Sequence, residues 1–137
     1  MTARKLRAKA DAALLKAFIN PQQLRCTVKL CEGDEGKVFQ DILTGLHDRI
    51  TAMPGVRGQD GKGEEAIVYL HYFKGGADWY ITEKDEGRQI QAFGLADLFQ
   101  DGGELGYISI EELLANGVEL DYHWEPRTLA EARNYRD

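Results

Sequence analysis

Residues 66–84 read AIVYLHYFKGGADWYITEK, and this stretch decides the fold. Aromatic and β-branched residues fill both halves, and Gly75 with Gly76 separates them. The pattern therefore predicts a β-hairpin with strands over 66–73 and 78–84. Both faces of the first strand are largely apolar, with His71 on one of them. Such a strand is typical of the middle of a sheet, where a helix covers it.

An amphipathic helix is predicted over residues 37–53, just before the hairpin. Its apolar side chains are spaced by three and four residues, and Pro54 with Gly55 ends the pattern. The glycine-rich run over 57–63 is predicted to be a mobile loop. It is not a phosphate-binding loop, because Gly63 stands where a P-loop requires serine or threonine. The apolar stripe of the helix comprises Val38, Phe39, Ile42, Leu43, Leu46, Ile50 and Met53.

Shorter elements are predicted downstream of the hairpin. The strands among them are expected over 89–95, 105–108 and 118–124. Ser109 and Thr128 are each followed three residues later by glutamate, which is the capping-box spacing that begins a helix. The order of elements predicts an α+β fold, with an antiparallel sheet of about four to five strands packed against the 37–53 helix. Short helices complete the C-terminal end.

Charge is divided unevenly along the chain. The 137 residues include 23 acidic and 17 basic side chains, for a formal net charge of −6. Residues 1–20 hold five basic side chains against Asp11 alone, so they carry +4 and the remainder carries −10. Strong helix formers fill this N-terminal stretch until Asn20 and Pro21 end it. We therefore predict an N-terminal basic helix and linker over 1–33 and a single α+β domain over 34–137.

Several functional classes are disfavoured by composition. A net negative charge argues against a classical nucleic-acid-binding protein, which has a basic surplus. The sequence shows neither a secretory signal nor a membrane-spanning run, so a cytoplasmic protein is expected. Cys26 and Cys31 do not have the spacing of a redox or zinc pair, and we expect two reduced thiols. No motif predicts a cofactor, and three histidines without H-E-x-x-H make a transition-metal enzyme improbable.

Motifs over roughly residues 64–130 resemble those of a bacterial family of unknown function carried on plasmids, integrative elements and phages. The matching segments are LHYF at 70–73, DWYITE at 78–83, AFG at 92–94, ELGYISIEEL at 104–113 and DYHWEP at 121–126. His123 and Trp124 depart from the pattern, since an aromatic residue and phenylalanine are commoner there. The resemblance implies a mobile-element setting and transfers no catalytic residues.

Carboxylates and histidines between residues 71 and 125 are the candidates for chemistry. Glu83 is expected to share a strand face with Trp79 and Ile81, where a carboxylate is costly unless it is paired. Alternatively, Glu83 lies at the strand end, where it reaches solvent or accepts backbone hydrogen bonds, and His71 is a satisfied histidine of the core or of the sheet edge. We assign no catalytic, cofactor-binding or metal-ligating residue. The candidate functional surface comprises Glu83, Asp85, Asp97, Asp101, Glu104, Glu111, Asp121, His123 and Glu125.

Three functions remain open from the sequence. The favoured one is a non-enzymatic accessory protein of a mobile element that binds a basic protein through its acidic surface. In a more specific form of this hypothesis, the protein mimics DNA and inhibits a host defence nuclease. The second is a small acid–base or metal-dependent enzyme using Glu83, Asp121 and a histidine. The third is a nucleic-acid-associated accessory protein whose residues 1–20 contact phosphate. No membrane contact is expected, and the oligomeric state is left open.

Overall fold

The computed structural model describes residues 12–86 and 91–135. Three helices come first, followed by strands with two short helices among them. In chain order the elements are α1 over 12–18, α2 Pro21–Cys31, α3 Gly36–Ala52, β1 Ile67–Val68, β2 Leu70–Lys74, β3 Ala77–Glu83, β4 Ala92–Asp97, β5 Glu104–Ile108, α4 Ile110–Ala115, β6 Glu119–Leu120, β7 Arg127–Thr128 and α5 Leu129–Arg133.

The main sheet has five antiparallel strands in the order β5-β4-β3-β2-β6. The hairpin of β2 and β3 lies at its centre, as the sequence predicts. A separate two-stranded ribbon joins β1 to β7, with Ile67 opposite Thr128. The antiparallel sheet packed against helices confirms the predicted α+β fold.

The helical layer covers the first face of this sheet. Side chains of α1 and α3 meet Leu70, Tyr72 and Ile81 in one hydrophobic cluster. The Tyr72 hydroxyl also donates to the Phe18 carbonyl at 2.5 Å, which fixes the end of α1 over the strand. Leu15 and Ile19 are buried in the same cluster. The predicted division at residue 33 stays a prediction, although the described part of 1–33 packs on the domain body.

A smaller cluster lies on the second face. Trp124 is fully buried there, its indole N–H donates to the Val68 carbonyl at 3.0 Å, and Leu129 and Ala132 of α5 pack beside it. Tyr80 and Leu95 complete the cluster from β3 and β4. This second cluster covers only part of the second face of the sheet.

Several local predictions are confirmed, because they depend on short-range rules. The 37–53 helix appears as α3, Ser109 accepts the Glu112 N–H at the start of α4, and Thr128 with Glu131 forms a complete capping box. Gly117, with φ of 72°, ends α4 as expected. Residues 21–31, which follow the predicted end of the basic helix and belong to the predicted linker, form a second helix, α2. Asn20 caps it by accepting the Gln23 N–H.

The predicted strand over 118–124 is wrong beyond Leu120. The Asp121 carboxylate accepts the backbone N–H of His123 at 2.9 Å and turns the chain out of the sheet. The strand predicted over 89–95 is β4, which runs over 92–97, and residues 87–90 lie outside the described part of the chain. Residues 1–11 of the predicted basic helix also lie outside it.

Candidate functional site

His71 lies between two carboxylates on the second face of the sheet. The backbone N–H of Asp121 donates to the His71 carbonyl at 2.8 Å, which holds the Asp121 side chain beside the ring. From β3, Asp78 approaches the opposite side. The Nδ1 atom of His71 is 2.9 Å from Asp121 Oδ2, and Nε2 is 2.6 Å from Asp78 Oδ1. We call this group the Asp–His–Asp cluster.

The charge of the cluster follows from its hydrogen bonds. Each ring nitrogen faces a carboxylate oxygen, so both have to donate when both carboxylates are ionised, and the ring then carries a positive charge. Burial tends to raise the pKa of Asp121. Hydrogen bonds from the His71 ring and the His123 backbone, with the charges of both histidines, outweigh burial and bring this pKa below its ordinary value.

Aromatic rings enclose the cluster. His71 stacks on Tyr80 with ring centroids 4.8 Å apart, and the centroids of the His71 and Trp124 rings are 5.2 Å apart. Burial, followed by the charge of Asp97, raises the pKa of the Tyr80 hydroxyl. The guanidinium of Arg127 lies 4.4 Å from the Trp124 ring centroid, over the outer side of this ring group. His71 itself is only 5% exposed.

This arrangement is suited to structure rather than proton transfer. A general base needs a nitrogen within hydrogen-bond reach of a substrate. Both nitrogens of His71 are already engaged, and the ring is buried between Tyr80 and Trp124. Within residues 12–86 and 91–135, no group of three or more His, Cys, Asp or Glu side chains is placed to hold a metal ion. The enzyme hypothesis therefore gains no support from the cluster.

Glu83 is buried, but it does not lie on the strand face that the alternation of side chains predicted. A register shift between Ile81 and Glu83 makes Glu83 the cross-strand partner of Phe93, so it leaves the face of Trp79 and Ile81. Its carboxylate accepts the Gln59 backbone N–H at 3.1 Å and the Thr82 hydroxyl at 3.0 Å. Because Glu83 is 4% exposed, it is not part of a functional surface.

Gln59 closes the glycine-rich loop onto the strands. Its side-chain amide donates to the carbonyls of Ile67 and Thr82, both at 2.8 Å, and its side-chain oxygen accepts the Ile67 N–H. The loop predicted to be mobile is thus attached by a buried residue. The sequence analysis missed Gln59, because a lone glutamine in a glycine-rich run carries no periodic signal.

The seven predicted surface residues other than Glu83 and Asp121 occupy three places. Asp85 and Glu111 line a cavity of about 610 Å³ beside α4, on the helical layer. His123 and Glu125 are exposed on the turn that follows Asp121. Asp97, Asp101 and Glu104 lie together where β4 passes into β5. The structure therefore does not gather the nine predicted residues into one surface.

Exposed apolar side chains accompany this last group. Phe99 is 80% exposed, Tyr107 59%, Leu105 49% and Leu98 48%. Leu105 and Tyr107 lie opposite Leu95 and Phe93, so they belong to the second face of the sheet, beyond the part that α5 covers. Glu104 lies opposite Ala96, so it projects from the first face at the same edge of the sheet. We use the name β4–β5 patch for the acidic and apolar side chains of this segment: Asp97, Leu98, Phe99, Asp101, Glu104, Leu105 and Tyr107.

The loop that carries Phe99 is held by specific contacts. Asp97 accepts the Asp101 N–H at 3.2 Å, and Asp101 accepts the Gly103 N–H at 3.1 Å. From α5, Arg133 donates to the Gly102 carbonyl at 2.8 Å. Two patch carboxylates thus also shape the loop. The sequence analysis missed the apolar side chains of the β4–β5 patch. Leu98 and Phe99 were a detectable signal, because they lie in a turn-forming segment and a turn rarely enters the core.

Comparison with known proteins gives a family but no activity. A family model described as a protein of unknown function (DUF2958) matches residues 41–128, which is most of the sheet with α3. No curated protein and no solved structure matches the chain. Among residues 12–86 and 91–135, no helix combines the length and the apolar character that crossing a membrane requires.

Proposed function

The chain belongs to the DUF2958 family of proteins of unknown function, and we propose that it is a non-enzymatic binding protein. Its binding surface is the β4–β5 patch. The partner is a protein whose own surface is basic around an apolar centre. The observation that carries the proposal is the exposure of Phe99 and Tyr107 in a segment that also holds Asp97, Asp101 and Glu104.

Phe99 and Tyr107 are the two most exposed large apolar side chains among residues 12–86 and 91–135. Contiguous apolar patches on soluble proteins mark interaction sites, and aromatic residues dominate the binding energy of interfaces. Phe99 projects from a loop that Arg133 attaches to α5, so little ordering is needed on binding. The rim carboxylates would contribute mainly to association rate and to the choice of partner.

The biological setting is proposed from the sequence resemblance. It points to an accessory protein of plasmids, integrative elements and phages. A sharper form of the proposal is an anti-defence or antirestriction role, in which the acidic patch imitates DNA and occupies the basic cleft of a nuclease. Such binding would weaken as salt rises and would compete with duplex DNA.

Capture from a bacterial lysate tests the proposal. Full-length protein on a resin should retain a basic protein, and Phe99→Ser with Tyr107→Thr should retain at least tenfold less of it. A charge variant, Asp101→Asn with Glu104→Lys, should lose most of the captured protein as well. The Asn side chain keeps the oxygen that accepts the Gly103 N–H.

A matched variant separates the patch from general acidity. Asp34→Asn with Glu35→Lys makes the same change of charge on the exposed turn between α2 and α3. It should capture as much partner as the natural sequence. Equal loss from both charge variants would refute the patch as the binding surface. If duplex DNA did not displace the partner, the DNA-mimic form would be wrong.

A further inference from the structure

A groove between α1 and α2 is a second surface that the proposed function does not use. It encloses about 520 Å³, and its floor is formed by Ile19, Leu24 and Val28. Leu24 and Val28 are four residues apart, so they lie on one face of α2. The other side of this helix is occupied: the Thr27 hydroxyl, for example, is 2.7 Å from the Tyr122 hydroxyl. Val28 is 46% exposed in the groove.

The charged side chains that line the groove are all basic. They are Lys16 from α1 and Arg25 and Lys29 from α2, and the lining contains no acidic residue. In a chain of net charge −6, such a site is unusual. Residues 1–11 are a poor occupant by charge, because Arg4, Lys5, Arg7 and Lys9 would face three more cations.

The β4–β5 patch has the complementary composition. It offers Asp97 and Asp101, with Glu104 on the other side of β5, where the groove offers three cations. It also offers exposed aromatic and aliphatic side chains where the groove has an apolar floor. The two surfaces cannot meet within one molecule. The groove belongs to the helical layer on the first face, whereas Leu105 and Tyr107 project from the second face.

We propose that the α1–α2 groove binds the β4–β5 patch of a second copy of this chain. The contact is head-to-tail, because the two surfaces that meet are different. The pair keeps one free groove, on one copy, and one free patch, on the other, so assembly continues into rings or open chains as concentration rises. The inference rests on the proposed function for the patch, but not on the identity of any other partner.

Self-association also has a consequence for the proposed function. A patch that is seated in a neighbouring groove is not available to another protein. A basic partner would therefore have to displace the neighbouring copy, and the assembled protein would not bind that partner. The Val28→Glu variant, which closes the groove and leaves the patch untouched, should then capture at least as much partner as the natural sequence.

Sedimentation velocity of the full-length chain tests the inference. The average mass should rise with concentration between about 5 and 500 μM at low salt and should fall back toward the monomer at about 0.5 M salt. A groove variant, Val28→Glu with Lys29→Glu, and a patch variant, Phe99→Ser with Glu104→Lys, should each remain monomeric. All four side chains are exposed, and circular dichroism would verify that both variants fold.

An equimolar mixture of the two variants gives the decisive result. One variant keeps an intact patch and the other keeps an intact groove, so the mixture should form 1:1 dimers and nothing larger. Val38→Glu on the neighbouring helix α3 is the control. Val38 is 55% exposed and lies outside the groove, so this variant should assemble like the natural sequence.

Three results would overturn the inference. They are a natural protein that stays monomeric throughout, a groove variant that still assembles, and folded variants whose mixture does not dimerise. Binding of duplex DNA that the groove variant abolishes, without self-association, would assign the groove to nucleic acid instead. None of these would affect capture of a basic partner by Phe99 and Tyr107, so the proposed function can fail or succeed independently.

Discussion

His71 is held from two sides by carboxylates that come from different parts of the chain. Asp78 lies on β3, seven residues away, whereas Asp121 lies after β6, fifty residues away. The cluster thereby connects the central hairpin to the turn that carries Trp124 into the second core. Its ring contacts and its two short hydrogen bonds make it a stabilising centre of the second face.

Replacing His71 by phenylalanine tests this role. The substitution keeps a ring against Tyr80 but removes both donors, so the buried Asp78 and the half-buried Asp121 each lose a hydrogen bond to the ring. We expect the free energy of unfolding to fall by about 3–5 kcal/mol, measured by urea denaturation. His123→Gln is the control: its side chain is exposed, and it should change stability by less than about 0.5 kcal/mol. A loss below about 1 kcal/mol for His71→Phe would contradict the cluster's role.

Asp121 should make stability depend on pH in a defined direction. Its pKa in the folded protein lies below the ordinary value of 3.8, so the ionised form stabilises the fold at and above that pH. This contribution is lost as pH falls through the lower folded value. Asp121→Asn should therefore be less stable than the natural protein at neutral pH, and the difference should shrink below pH 3.8. A difference in stability between the two proteins that stays constant from neutral to acid pH would contradict this role of the Asp121 carboxylate.

At the scale of elements, the close approach of β3 and β4 depends on one glycine. A Cβ atom at Gly94 would overlap the carbonyl oxygen of Tyr80 in the neighbouring strand, whereas a Cβ atom at its partner Gly106 would meet nothing within 4 Å. Both glycines occur in the same strand pair. Only one of them is required by packing.

Alanine at each position should separate these two cases. Gly94→Ala should destabilise the protein by about 3 kcal/mol, because the strands have to move apart. Gly106→Ala should leave stability unchanged or raise it by up to about 1 kcal/mol, since glycine weakens a strand interior. Thermal unfolding of both variants measures the difference. Equal effects would show that the Gly94 contact is not constraining.

The elements that the sequence predicted well are those governed by neighbours in the chain. The hairpin, the helix α3 and the caps at Ser109 and Thr128 all follow from spacing or turn residues. The missed features depend on distant contacts. The β1–β7 ribbon pairs residues sixty apart, and the displacement of Glu83 comes from a bulge that no alternation pattern can reveal. The pairing of His71 with Asp121 joins residues fifty positions apart, so it likewise depends on a distant contact.

At the scale of the whole molecule, charge and exposure separate into two surfaces. The sequence showed a basic N-terminal part and an acidic body. In the described residues, the cations Lys16, Arg25 and Lys29 lie in a groove on the helical layer, and the acids of the β4–β5 patch lie in and beside the loop between β4 and β5. Sequence alone could not assign either surface, because exposure of Val28 or Phe99 depends on what the fold leaves uncovered.

Photo-crosslinking from position 99 is the most direct test of the central claim that the β4–β5 patch is the binding surface. Full-length protein carrying p-benzoylphenylalanine in place of Phe99 should crosslink a basic protein in a bacterial lysate, less efficiently as salt rises. The same group in place of Val38, 55% exposed on α3, is the matched control and should not give this adduct. The absence of any adduct with another protein from position 99, or equal yields from both positions, would contradict the account.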